Sequence, residues 1–150
     1  MNDYFFTSAP QLKRGPLGAM ISDHVVFSSP HFLVEPGEDA ETNPGIYGRA
    51  LAGWVARTLE SRGMVVEGVI AEDFARCVMI KRKPFRLWVA CASADGGPTR
   101  WQMFIALEQN PLAKLFSRTD PEAELSKLRE HFRAMLRDVP GISEVEWQDQ

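Results

Sequence analysis

From Phe74 to Leu107 the apolar residues fall into three consecutive runs of alternating pattern, near 74–82, 85–92 and 100–107. Period-two alternation bounded by turn residues is the signature of β-strands. Arg82-Lys83-Pro84 separates the first two runs, and Ser93 to Thr99, containing Asp95-Gly96-Gly97-Pro98, separates the last two. One alternating set holds Cys77, Met79, Phe85, Leu87, Val89, Trp101, Met103, Ile105 and Leu107. The opposite set holds Val78, Ile80, Trp88, Ala90 and Phe104, ringed by Arg76, Arg82, Arg86 and Arg100. A small antiparallel sheet ordinarily turns one polar face to water. Here both sets are apolar, so the second face calls for a cover.

Around this core the pattern changes period. Tyr47, Leu51, Trp54, Val55, Thr58 and Leu59 form the stripe of an amphipathic helix, which Asn43 and Pro44 are placed to start and Gly63 to stop. Asp120-Pro121 repeats the start signal before Leu125, Leu128, Phe132 and Met135, and Pro140-Gly141 ends that second helix. Short extended segments are expected at His24–Phe27 and Phe32–Val34, with a further strand at Met64–Ile70. Asn110–Ser117 suggests a short helical piece, and Val145 with Trp147 a last edge strand. The acidic stretch 36–42 reads as a flexible loop. Residues 1–23 read as an irregular arm and 24–150 as one domain. The expected fold class is α+β: a two-layer sandwich whose mostly antiparallel sheet, of about five to six strands, carries two main helices on one face. The aromatic run Tyr4-Phe5-Phe6 in the arm is one candidate cover for the other face.

If both hairpins keep an even register, Ile80, Trp88 and Phe104 align as a cross-strand row. An aromatic centre with an arginine rim suits a protein interface. The partner-binding set is therefore Val78, Ile80, Trp88 and Phe104 with Arg76, Arg82, Arg86 and Arg100. Its occupant would be a partner protein or a second copy of the chain. Stacking of single-stranded RNA on the same sheet is the third reading. The net charge of −3 and the lack of an RNA-binding motif disfavour nucleic acid.

Catalytic chemistry finds less support. His24 and His31, with Asp23 and Glu35 nearby, are the residues a small hydrolase or metal-dependent enzyme would use. They lack a third ligand at a telling spacing. Cys77 and Cys91 would face each other in an even-register hairpin, and buried free thiols are favoured over a disulfide. Glu72-Asp73 and Asp95 lie at turns, where carboxylates are favoured for backbone reasons alone. No cofactor is implied. The start of the chain is a poor signal peptide and no run is long enough to span a bilayer, so a cytoplasmic location is expected and no membrane partner.

The spacing Gly48-Arg49-Ala50-Leu51, Trp54, Gly63, Glu72-Asp73, Trp88, Asp95-Gly96, Trp101, Phe104, Leu115-Phe116 and Asp120 resembles a family of small uncharacterised bacterial proteins over residues 43–147. That resemblance implies an α+β domain and brings neither an activity nor catalytic residues. Many immunity proteins and secretion chaperones are similar in size and layering, an analogy at the level of fold.

Overall fold

A computed structural model describes residues 19–110, 112 and 120–148. Six strands, β1 (Met20–Ser28), β2 (Gly68–Glu72), β3 (Ala75–Lys81), β4 (Phe85–Ser93), β5 (Arg100–Gln109) and β6 (Ser143–Trp147), form one antiparallel sheet in the order β2-β3-β4-β5-β1-β6. Two helices, α1 (Arg49–Ser61) and α2 (Pro121–Leu136), share a hydrophobic cluster with one face of that sheet. The fold is thus the α+β sandwich that the pattern predicts. Most of the segment expected at 110–117 and the whole Tyr4-Phe5-Phe6 run lie outside the described residues.

The helix-side cluster packs Leu51, Val55 and Leu59 of α1 and Leu128, Phe132 and Met135 of α2 onto Leu87, Val89, Trp101, Met103 and Ile105. The β4–β5 hairpin keeps the even register throughout, from Phe85↔Gln109 to Ser93↔Trp101. The β3–β4 hairpin does not. Val78 pairs with Val89 and Met79 with Trp88, and the register shifts between Met79 and Lys81. A one-residue slip moves a whole strand segment to the other face. Val78 and Ile80 therefore join the helix-side core, while Cys77 and Met79 join Trp88, Ala90 and Phe104 on the second face. The expected row Ile80–Trp88–Phe104 is replaced by Met79–Trp88 beside Phe104. Cys77 pairs with Ala90 and Cys91 with Arg76, so the two thiols sit on opposite faces and both are free.

Three boundaries also differ. The first strand begins at Met20, so residues 20–23 belong to the sheet and not to the arm, and residues 32–34 form no strand. The second strand begins at Gly68 rather than Met64. Helix α1 begins at Arg49 with Gly48 as its N-cap, and Asn43 closes a turn by accepting from the Ile46 amide.

That late helix start follows from the acidic stretch, which is a built element. Glu38–Glu41 forms a short 3-10 helix. The buried Glu38 carboxylate accepts the Gly48 and Arg49 amides at 2.9 and 3.1 Å through Oε2, and the Glu35 amide at 2.9 Å through Oε1. Helix α1 has no side-chain cap of its own, so Glu38 supplies from ten residues upstream what an N-cap normally gives. Arg76 donates to the Glu38 carbonyl at 2.9 Å and pairs with Glu41 at 2.9 Å.

Burial pushes the Glu38 pKa up, but the three amides and the Arg76 charge outweigh it and hold the carboxyl below its ordinary value. A depressed folded pKa contributes stability that is complete above the unfolded carboxyl value and is lost as pH falls through the folded one. Glu38→Gln is therefore expected to cost about 2 kcal/mol at pH 7, because an amide donor is turned toward backbone donors. The gap between variant and wild type should shrink below pH 4.5, the ordinary value of such a carboxyl. Urea midpoints measured from pH 7 to pH 3 check this, and a gap that is constant with pH would refute the ionised-cap account.

Candidate functional site

The second sheet face holds Ala75, Cys77, Met79, Trp88, Ala90, Ala92, Phe104 and Ala106 in one cluster. These residues are buried: Trp88 is 2% and Phe104 1% exposed. Neither of these two rings presents an exposed face on which a base could stack.

The arginine rim divides in two. Arg76 is buried and holds the acidic 3-10 helix. Arg100 donates to Ser28 Oγ at 2.9 Å and to the Glu144 carbonyl at 2.8 Å, and pairs with Glu146 at 3.4 Å, which ties β6 to the sheet. Arg82 and Arg86 stand apart from these structural duties, at the opposite end of β3 and β4.

There, Arg82, Lys83, Pro84, Phe85, Arg86, Glu108, Gln109 and Asn110 line an open cleft of about 930 Å³. The β3–β4 turn places Arg82 and Lys83 on the surface, while Phe85 turns inward to the helix-side core. Arg86 faces its cross-strand neighbour Glu108 at 3.4 Å and lies 5.3 Å over the Trp88 ring. That stack holds the guanidinium plane in place at modest entropic cost. Arg82 pairs with Glu67 through Nε at 3.5 Å. Three cations and one carboxylate thus line the cleft, and the chain as a whole is acidic.

The residues weighed for catalysis are dispersed. His24 is buried, bonded through Nε2 to Gln102 at 2.9 Å and set edge-on to Phe104. Burial lowers its pKa, with the Gln102 bond opposing. His31 lies at the surface against Phe32. Asp23 is bound by Arg129 and Arg133 on α2, and Glu35 pairs with Arg49. Asp95 accepts from the Gly97 amide in its own turn. Among the described residues no group of three or more His, Cys, Asp or Glu side chains could hold a metal ion. Burial pushes the Cys77 thiol up to about 12, with Glu72 adding and Arg86 opposing, and burial raises Cys91 well above its ordinary value. Neither is a nucleophile near neutrality.

Sequence reasoning missed two charged centres, the Glu38 cap and the Asp23–arginine cluster. Among the described residues no helix is long and apolar enough to cross a membrane. Comparison with protein-family models, with curated proteins and with solved structures found no match to this chain. The functional reading therefore stands on geometry.

Proposed function

We propose that the chain is a non-enzymatic protein-interaction module that docks an acidic segment of a partner protein in the Arg82–Lys83–Arg86 cleft. The carrying observation is the cleft itself: three cations and one carboxylate beside apolar Pro84 and Phe85, in a chain of net charge −3. Guanidinium forks match carboxylates in a bidentate manner, and a partly apolar wall contributes area that a free ion would not use. Arg82 and Arg86 belong to the rim that the sequence singles out, and the docking site moves from the middle of the sheet to its end. The cations steer association and select sign, with affinity that declines as salt rises.

Titration of a fluorescein-labelled Asp/Glu-rich peptide, read by anisotropy and by amide shifts in the full chain, tests this. Binding should map to residues 82–86 and 108–110, and Arg82→Ala/Lys83→Ala should weaken it at least about tenfold, or 1.4 kcal/mol. Both substituted side chains are exposed, so the fold should be retained. Equal binding by the double variant, or a preference for a basic peptide of the same length, would defeat the reading. Tighter binding of a single-stranded RNA oligomer would replace it with the nucleic-acid one.

A further inference from the structure

The sheet has two outer strands, and they are built differently. Strand β6 is guarded against pairing: Glu144 has φ 51, the β1–β6 register shifts between Val26 and Ser28, and Glu144 and Glu146 put carboxylates on the strand. Such devices keep a sheet edge from joining another chain. Strand β2 has no such break. Its five residues pair with β3 in unbroken register, from Gly68↔Met79 to Glu72↔Ala75. It contains no proline or lysine, and among the described residues β3 is its one neighbouring strand. An antiparallel ladder uses alternate backbone groups on each side of a strand, so the outer half of those on β2 is open to a further strand. Val69 in the strand and Val65 just before it are 42% and 74% exposed.

We infer that β2 pairs antiparallel with β2 of a second copy of this chain across a two-fold axis, joining two six-stranded sheets into one. Charge selects both the occupant and the orientation. One end of β2 lies beside Arg82, which pairs with Glu67 at 3.5 Å. The other end carries Glu72 and Asp73, and no described cation pairs with either carboxylate. Antiparallel self-pairing brings the acidic end of each copy against the Arg82 end of the other, twice over, whereas parallel pairing would set like ends together. Residues opposite each other in an antiparallel pair share a face of the sheet, so for the fullest overlap the axis passes through Val69 or Ile70. An axis at Ile70 would place Glu67 opposite Asp73, and directly opposed like charges destabilise a pair. An axis at Val69 places Glu67 opposite Ala71, Val66 opposite Glu72 and Gly68 opposite Ile70, and each Val69 meets its own counterpart. The helices of both copies then lie on the same side. A two-fold contact closes as a dimer, and the guarded β6 strands become its outer edges. The inference is independent of the acidic-partner reading, because Val69 is not part of the cleft.

Two readings on the full chain test it. Sedimentation equilibrium from micromolar to millimolar protein should show the wild type passing from 16.9 kDa to twice that mass. Val69→Lys, which sets two ammonium groups on the axis, should raise the dimer dissociation constant at least tenfold while circular dichroism stays that of the folded chain. A wild type that remains monomeric throughout, or a dimer that Val69→Lys leaves intact, would overturn the inference. The second reading does not depend on how the lysine variant folds. Val69→Cys brings two thiols face to face at the spacing of directly opposed strand residues, within reach of a disulfide. Val145→Cys on β6 is the matched control, since both valines are 42% exposed and the native Cys77 and Cys91 are buried. Under mild oxidation Val69→Cys should form the cross-linked dimer at least tenfold faster than Val145→Cys. Equal rates, or faster cross-linking at Val145→Cys, would overturn the β2 pairing.

Discussion

Gly48→Ala is expected to lower the unfolding free energy by about 3–5 kcal/mol, although the substitution adds one methyl group. Gly48 has φ +155, and a Cβ built there would lie 2.8 Å from the Cys91 carbonyl oxygen and 3.2 Å from its carbon. Both atoms are backbone of β4, an interior strand paired on each side by β3 and β5, so they cannot swing away. The segment is held there by its neighbours: the Ser93 amide donates to the Tyr47 carbonyl at 2.8 Å, and the Tyr47 amide donates to Ser93 Oγ at 3.1 Å. Backbone strain of about 1–3 kcal/mol adds to an overpacking cost of similar size. The amides of Gly48 and Arg49 would also leave Glu38, so the loss of the cap is part of the effect. Gly53→Ala is the matched control. It sits inside α1, and its added methyl meets only the end of the flexible Arg57 side chain, at 3.2 Å. That change should stabilise the chain by up to about 1 kcal/mol. Urea midpoints at constant m separate the two, and effects of the same sign and size would sink the close-approach account.

What the sequence discloses here depends on how local the determining interaction is. Helix α2 starts where Asp120-Pro121 says it should, because its cap is made by the next residues: Asp120 Oδ1 accepts the Glu122 amide at 3.0 Å. Helix α1 starts later than Asn43-Pro44 suggests, because its cap comes from Glu38 across a loop. The same contrast holds between hairpins. In β4 and β5, Leu87, Val89, Met103 and Ile105 choose the helix side in concert, and the even register follows. In β3 the run Cys77-Val78-Met79-Ile80 is apolar at every position, so hydrophobicity carries no parity and one shifted residue reverses the assignment. Of the candidate interface, Arg82 and Arg86 were legible as cations at a turn. The far wall of the cleft was not, since β5 runs on to Gln109 and brings Glu108 and Gln109 beside them.

Asp23→Ala is expected to cost about 2–3 kcal/mol and to loosen α2 from the sheet. Its position has no counterpart in a regular strand. Ser22 pairs with Ile105 and Val25 with Met103, so β1 carries one extra residue, and Asp23 lies in that bulge with φ 55. The bulge re-aims its carboxylate toward α2, where Arg129 Nε and Arg133 Nε donate to it at 2.7 and 2.6 Å. The two arginines are one helical turn apart, so one carboxylate registers the helix along its axis. The Asp23 side chain is fully buried and the arginine side chains are nearly half exposed. Removal of one partner from a fully buried pair costs roughly 3–5 kcal/mol, and the smaller figure here reflects guanidinium groups able to turn to water. Asp23→Asn isolates the charge, because asparagine tolerates the left-handed backbone that alanine would strain. Its cost should be about half that of alanine. A double-mutant cycle between Asp23→Asn and Arg133→Ala should return a coupling of about 1 kcal/mol or more that falls as salt is raised. A coupling near zero would mean that the helix is placed by Leu128, Phe132 and Met135 alone, with the ion cluster a passenger on that packing.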